Sequence, residues 1–207
     1  DSRFYDAASG YKYNHLTLMG FSLTHLSGTG IPDLGDFLFI PGTGEMKLEP
    51  GTHEDPDQGY RSRYSHDKEW ASPNYYAVEL ADYGVKAEMT SGVRSGMFRF
   101  TYPESDNAFI MIDMNHTLWQ SCEWSNLRMI NDSTITGYKL VKGWGPERHV
   151  YFTATFSKKL TGLRFVQDKK PVIYNTSRFR SSYEAWGKNL MACISFDTKA
   201  GEEVTGK

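Results

Sequence analysis

Apolar and polar residues alternate along four stretches of the chain, a pattern that predicts β-strands with one buried face. The alternation is clearest in the segments YYAVEL (75–80), MFRFTY (97–102), AFIMIDM (108–114) and HVYFTATF (149–156). Turn signals lie between such segments, at PGTG (41–44), YPESDN (102–107), NDS (131–133) and GWGPE (143–147). Their spacing is typical of antiparallel strands rather than βαβ units. We therefore predict an all-β fold, a large antiparallel β-sandwich.

One stretch departs from this alternation. The segment Ser65–Ala71, SHDKEWA, places helix-forming residues after a serine suited to cap a helix, and Pro73 would end it. The sequence thus predicts a helix of one or two turns. The acidic, proline-interrupted segment Glu45–Gln58 lacks the spacing of a twelve-residue calcium loop, and we interpret it as a solvated loop.

Length and composition favour one domain and disfavour two kinds of partner. The 207 residues suffice for one large core, the formal net charge is −2, and no block of Lys and Arg would follow a nucleic-acid backbone. No run of apolar residues is long enough to predict a membrane span. The chain begins at Asp1 rather than Met, so we expect a processed piece whose signal peptide is not in this chain. Cys122 and Cys193 are interpreted as buried free thiols.

Residues able to carry chemistry are scattered rather than grouped. The histidines occur singly, without the His-x-x-x-His spacing of a zinc helix, and Ser27 lies in LSGTG rather than in a nucleophile elbow. These observations disfavour an intrinsic zinc site and a serine nucleophile. Asp33 and Asp36 have the chemistry of a general acid and base, but three residues apart in a loop they are better interpreted as turn-capping residues.

The stretch GFSLTHLSGTGIPDLGD, residues 20–36, is rich in glycine and poor in core-forming residues. Gly28 and Gly30 flank Thr29, which leaves two interpretations open: a loop whose backbone faces a ligand, or a tight connection.

Aromatic residues make up 14 % of the chain, and exposed tyrosine and tryptophan rings offer flat faces that fit sugars. Three tyrosines cluster in FYDAASGYKY, just before the glycine-rich stretch: Tyr5, Tyr11 and Tyr13. Two interpretations of these tyrosines are equally open, a position in the core and a position facing a ligand.

The order of several motifs resembles that of one enzyme family. YDAASGYKY is followed by GFSLTHLSGTG with DLGD, then by SHDKEWASPNYYAVEL, and then by VKAEMTS and FRFTYP. Together they resemble, over nearly the whole chain, the amino-terminal domain of glycoside hydrolase family 92, the calcium-dependent exo-α-mannosidases. The resemblance implies a galactose-mutarotase-like supersandwich over residues 1–207, which packs on a carboxy-terminal (α/α)6 barrel that is absent from this chain.

The resemblance also implies how the work is divided between the two domains. In the family the general acid, the general base and most calcium ligands come from the barrel, so we expect no catalytic residue and no metal ligand in this chain, and no activity from it alone. Catalysis in the family is inverting, which requires two carboxylates far enough apart to admit a water. The sandwich is expected to shape a pocket for α-mannoside glycans in the periplasm or outside the cell. Its expected substrate-binding residues are Tyr5, Asp6, His25, Ser27, Gly28, Thr29 and Gly30.

Three positions depart from the family pattern because they are apolar where many members are polar. They are Leu23, Val93 and Phe98, and we expect them to lie together as one apolar patch, since a coordinated loss of polar partners costs little. They leave the linkage specificity and the true substrate open. Two other functions also stay open: a free-standing carbohydrate-binding β-sandwich and a purely structural module.

Overall fold

The computed structural model describes residues 10–24, 34–173 and 183–207, and every strand pair in those ranges is antiparallel. The strands are β1 (Thr17–Leu18), β2 (Leu38–Thr43), β3 (Ser62–Arg63), β4 (Glu69–Ser72), β5 (Tyr75–Leu80), β6 (Val85–Ser91), β7 (Gly96–Tyr102), β8 (Ser105–Asp113), β9 (Ser121–Asn131), β10 (Thr134–Lys142), β11 (Arg148–Thr155), β12 (Gly162–Gln167), β13 (Lys170–Pro171), β14 (Glu184–Gly187), β15 (Leu190–Thr198) and β16 (Glu202–Gly206). Two 3₁₀ helices lie at Pro56–Gln58 and His66–Lys68. No helix in the described residues has the length and apolar character that crossing a bilayer requires.

The strands form two facing layers. One layer is a five-stranded sheet in the order β13-β12-β15-β8-β2. The other combines the sheets β11-β10-β9-β14 and β16-β7-β6-β5-β4, which meet where Thr155 and Lys207 exchange two backbone hydrogen bonds of 2.9 and 3.1 Å. A short ladder of β1 with β3 lies apart from both. The prediction of an all-β antiparallel sandwich is confirmed.

The main core fills the space between the layers. Ile110, Ile112 and Ile194 of the five-stranded sheet are fully buried, as is Phe100 of β7 and Leu127 of β9. The alternation predicted for β5, β7 and β11 is confirmed, because in each of these strands the apolar positions face this core.

Strand β8 differs from the prediction, since it is buried on both faces rather than one. Phe109 and Met111, which alternate with the core-facing isoleucines, are also fully inaccessible. They belong to a second apolar cluster on the outer side of the five-stranded sheet, which is covered by Tyr60 together with Met46 and Leu48. A central strand covered on both sides has no reason to carry polar residues.

The predicted helix at Ser65–Ala71 is shorter than expected. Ser65 does cap it, because its hydroxyl accepts the N–H of Asp67 at 3.3 Å, but the helix is a single 3₁₀ turn. The following residues form β4, whose backbone groups pair with β5. Sheet pairing satisfies those groups and outweighs the local helical preference.

The turn predicted at PGTG (41–44) is also wrong in position. Pro41 and Gly42 continue β2, and the chain turns only at Gly44, which has a left-handed φ of 80°. A proline is tolerated here because β2 is the edge of its sheet, so the missing N–H breaks no interior ladder. The turns at 131–133 and 143–147 connect β9 to β10 and β10 to β11 as predicted.

Two further sequence interpretations are confirmed. Cys122 and Cys193 are free and buried, and burial raises the pKa of both thiols. The segment Glu45–Gln58 contains no strand and only one 3₁₀ turn, and its acidic side chains lie at the surface or partly so.

We predict that acid weakens the domain through Glu88. Its carboxylate is 5 % exposed and accepts two hydrogen bonds of 2.9 Å from Arg99 and one of 2.6 Å from Tyr75. The Arg99 bonds lower the pKa of Glu88 from 4.5 to about 2, so the unfolded chain binds the proton first. Stability from this group is complete above pH 4.5 and is lost as the pH falls towards 2, by about 2 kcal/mol after allowing for the solvent around Arg99. Urea unfolding at pH 5 and pH 2.5 should show this loss as a difference in the free energy of unfolding, and the difference should be smaller in the Glu88→Gln variant. An equal difference in that variant would contradict the assignment to Glu88.

Candidate functional site

A cavity of about 800 Å³ lies beside the β1–β3 ladder, and we call it the ladder cavity. Its walls come from residues 10–22, from the residues around β3, and from β4, β5 and β6. The volume and the mixed polar and apolar lining are typical of a site for a small molecule. The polar and charged side chains that line it are Tyr11, Lys12, His15, Thr17, Ser22, His53, Arg61, Tyr64, Glu69, Tyr76 and His116.

Among the described residues that line the ladder cavity, Glu69 is the acidic one, and three donors hold it in place. Tyr76 donates its hydroxyl to Oε1 at 2.7 Å, while Oε2 accepts from Tyr11 at 3.3 Å and from His66 Nδ1 at 2.5 Å. Burial alone would raise the pKa of Glu69, but these hydrogen bonds outweigh it and hold the pKa below its ordinary value. The carboxylate is therefore ionised at neutral pH, and Oε1 retains a lone pair for a further donor.

His66 supports Glu69 from outside the cavity lining. Its Nδ1 faces the Glu69 carboxylate and its Nε2 faces the carbonyl oxygen of Tyr13 at 2.5 Å. Two acceptors on one imidazole require both nitrogens to carry hydrogen, and the bond to Glu69 raises the pKa of His66. Tyr13 also stacks on the His66 ring, with centroids 4.0 Å apart. Tyr13 thus packs on a histidine, whereas Tyr11 lines the cavity.

Several other residues of the lining are basic. His15 and His53 have ring centroids 4.1 Å apart, and Thr17 Oγ1 lies 2.8 Å from His53 Nδ1. Burial, followed by the positive charge of Arg61, lowers the pKa of His53. Arg61 is 9 % exposed, and its Nε has no hydrogen-bond partner among the described residues. The ladder cavity is therefore lined by both cationic and anionic side chains.

All seven substrate-binding residues expected from the sequence lie outside the described residues: Tyr5, Asp6, His25, Ser27, Gly28, Thr29 and Gly30. The described residues that flank them do line the ladder cavity. Gly10 and Tyr11 follow the first of these two segments, and Ser22 shortly precedes the second. The assignment of those seven residues to a sugar pocket stays a prediction.

The two ends of segment 25–33 are tied together. The N–H of Gly35 donates to the carbonyl of Thr24 at 2.9 Å, and the N–H of Asp36 donates to Thr24 Oγ1 at 2.7 Å. Ser22 adds a bond from its hydroxyl to the Asp36 carbonyl at 2.6 Å. Leu34 adopts a left-handed φ of 66°, a conformation that only tight local contacts maintain in a non-glycine residue.

The carboxylate of Asp36 does not cap a turn, which corrects the sequence interpretation; Asp33 lies outside the described residues. Asp36 is fully buried and pairs with Arg148 at 2.6 Å and with Lys139 at 3.7 Å. Lys139 is also fully buried and donates to the carbonyl of His116, and burial lowers its pKa. Since His116 lines the ladder cavity and donates to the Gly35 carbonyl at 2.6 Å, this buried ion cluster supports one side of the site.

The expected apolar patch of Leu23, Val93 and Phe98 does not form as one unit. Phe98 is buried and stacks on Phe100, whereas Val93 is fully exposed at a turn and packs on nothing. Leu23 is 38 % exposed and covers Gly96, where a Cβ would come within 1.9 Å of its Cδ1. The expectation is wrong for Val93, because the turn between β6 and β7 carries that side chain into solvent.

A second cavity, the aromatic groove, lies on the outer face of β9, β10, β11 and β14 and has a volume of about 590 Å³. Tyr151 and Trp186 line it and are more than half exposed, and Tyr138 lies beside Tyr151 with ring centroids 5.0 Å apart. Asn126 and Glu184 supply polar groups in the same groove. Exposed rings beside amide and carboxylate groups can stack on a sugar and bind its hydroxyls.

Comparison with known proteins agrees with this architecture. Residues 1–207 match the protein family described as "Glycosyl hydrolase family 92 N-terminal domain". The fold is similar to that of the family GH92 inverting mannosidase BT2199 from Bacteroides thetaiotaomicron, with a TM-score of 0.74 and 22 % identity over 96 % of this chain and 25 % of that one. It is also similar to the GH92 family glycosyl hydrolase ccman5, with a TM-score of 0.74 and 23 % identity over 96 % of this chain and 27 % of that one. No curated protein sequence matches the chain.

The fold defines the chain as an antiparallel β-sandwich domain that spans about a quarter of the length of these two solved structures. The chain belongs to the glycosyl hydrolase family 92 amino-terminal domain family, over all 207 residues.

Proposed function

We propose that this domain is the non-catalytic part of a calcium-dependent, inverting exo-α-mannosidase that acts on α-mannoside glycans in the periplasm or outside the cell. The observation that carries the proposal is the family match over residues 1–207. In the proposed full-length enzyme, a separate catalytic (α/α)6 barrel supplies the general acid and the general base. Inverting hydrolysis requires those two carboxylates to lie roughly 6.5–9.5 Å apart with a water between them.

The proposed role of this domain in the enzyme is to bind and orient the sugar. The ionised Glu69 carboxylate has a free lone pair for a sugar hydroxyl, and Tyr11 offers a ring at the same wall. Tyr5, Asp6 and the segment from His25 to Gly30 are proposed to complete the pocket, since the described residues flanking them line the ladder cavity.

Calcium is proposed to bind to the barrel rather than to this domain. In the described part of the chain, no three His, Cys, Asp or Glu side chains come together as a metal site requires.

The proposal is tested by assaying the full-length protein and the isolated 207-residue chain on an aryl α-mannoside and on mannobiose, with calcium and with a chelator. We expect calcium-dependent hydrolysis by the full-length protein, with β-mannose as the first product detected by NMR, and no turnover by the isolated chain. Turnover by the isolated chain above a boiled control would contradict the division of labour. Release of α-mannose would contradict inversion.

The alternative function is that of a carbohydrate-binding module, and the aromatic groove favours it. If that function is correct, the isolated chain should bind mannan, and Trp186→Ala should abolish the binding. Trp70→Ala is the matched control, because Trp70 is 65 % exposed but lies outside the groove. Equal loss in both variants, or no binding by the unmodified chain, would exclude this alternative.

A further inference from the structure

Arg61 is a charged residue of the ladder cavity that is almost fully buried. It is 91 % buried, lines the cavity, and its Nε donates to no acceptor among the described residues. Its backbone is fixed, since its N–H donates to the carbonyl of Pro50 at 3.2 Å. A buried cation without a counter-ion is costly, and such sites are normally completed by an anionic partner.

The surrounding charges define what that partner can be. Lys12 lines the same cavity and adds positive charge, while burial lowers the pKa of His53 and of His116, which keeps both imidazoles uncharged at neutral pH. Glu54 is near enough to influence Arg61 but forms no ion pair with it in the described residues, and Glu69 in the same lining is already compensated by His66. Arg61 thus lines the cavity without an ion pair among the described residues, and Glu69 in the same lining can accept a hydroxyl.

We propose that the ladder cavity binds an acidic sugar, with a uronate carboxylate on Arg61 and ring hydroxyls directed to Glu69 and Tyr11. The planar guanidinium fork matches a carboxylate in two parallel hydrogen bonds. A singly charged carboxylate is sufficient to neutralise the Arg61 guanidinium. This inference rests on the proposed function and specifies its substrate class: glycans that carry a uronic acid at or next to the mannoside.

The test compares two ligands that differ only at C6, D-mannuronate and D-mannose, binding to the full-length protein by calorimetry or ligand-observed NMR. We expect D-mannuronate to bind at least tenfold more tightly. Arg61→Met should remove this preference, and Arg61→Lys, which keeps the charge but loses the fork, should retain part of it. Lys142→Met removes a positive charge from an exposed position at the end of β10, outside the cavity lining, and should leave the preference unchanged.

The outcomes separate the two proposals. Hydrolysis of α-mannosides without any preference for D-mannuronate would overturn the inference and leave the proposed function in place. Tight, Arg61-dependent binding of D-mannuronate without α-mannoside hydrolysis would support the uronate site and overturn the proposed function. Displacement of D-mannuronate by inorganic phosphate at equal concentration would show a general anion site and overturn the assignment to a uronate. The ligand comparison in the unmodified protein decides the question even if Arg61→Met does not fold.

Discussion

Replacing Asp36 by asparagine is expected to destabilise the domain by about 3–5 kcal/mol. Asp36 is the counter-ion of Lys139, and neither side chain is accessible to solvent. An amide at this position leaves the ammonium group buried without its partner, which is far more costly than losing a surface pair. Arg148, with 28 % of its side chain exposed, can recover some of its interaction from water.

Chemical denaturation of the Asp36→Asn variant measures this effect, and two companion variants identify its cause. Asp132→Asn breaks the pair with Lys159, whose partners are 52 % and 80 % exposed, and should cost less than about 1 kcal/mol. Combining Asp36→Asn with Lys139→Met removes the orphaned charge and should restore at least half of the lost stability. If Asp36→Asn costs no more than Asp132→Asn, the buried cluster does not stabilise the domain.

Replacing Gly59 by alanine is the second substitution with a large expected effect, a loss of about 3 kcal/mol. A Cβ at this position would lie 2.1 Å from the backbone nitrogen of Gly51 and 2.2 Å from the carbonyl carbon of Pro50. Both atoms belong to the main chain, so the clash cannot be relieved by rotation of a side chain. The chain must separate at the hydrogen bonds that join Tyr60 to Glu49 and Arg61 to Pro50, at 2.7 and 3.2 Å.

Because Arg61 is fixed by one of those bonds, Gly59→Ala should also weaken ligand binding in the ladder cavity. Gly145→Ala is the matched control, since a Cβ there meets nothing within 4 Å, and its free energy of unfolding should stay within about 0.5 kcal/mol of the original. Thermal and urea unfolding of both variants measures the difference. Equal stability of the two would show that the segment around Gly51 moves without cost.

The sequence predicted the strands best where one face is buried. In β5, β7 and β11 the side-chain period of two coincides with the boundary between core and solvent. At β8 the strand itself was predicted correctly but its burial on both faces was not, although the segment 108–112 is apolar at every position, which is the pattern of a strand covered on both sides. The prediction failed at β4, where pairing with β5 determines the structure and local preference does not.

The ladder cavity was not predictable from the sequence in the same way. Its charged residues lie far apart along the chain, and the register that pairs Thr17 with Arg63 and Leu18 with Ser62 brings the segment around β1 alongside the segment around β3. No local pattern reports such a pairing. The only signal was that Glu69 and Tyr76 lie within the motif SHDKEWASPNYYAVEL, which supported the family resemblance without showing that the two side chains meet.

The closed base of segment 25–33 has a consequence for how this domain can diversify. Thr24 holds Gly35 and Asp36 through main-chain and hydroxyl bonds, and Asp36 is anchored in turn by Arg148 and Lys139. The register of β2 is thus set by groups outside the segment. Because these anchors lie on both sides of residues 25–33, we expect the start of β2 to keep its position when the length or the sequence between the anchors changes.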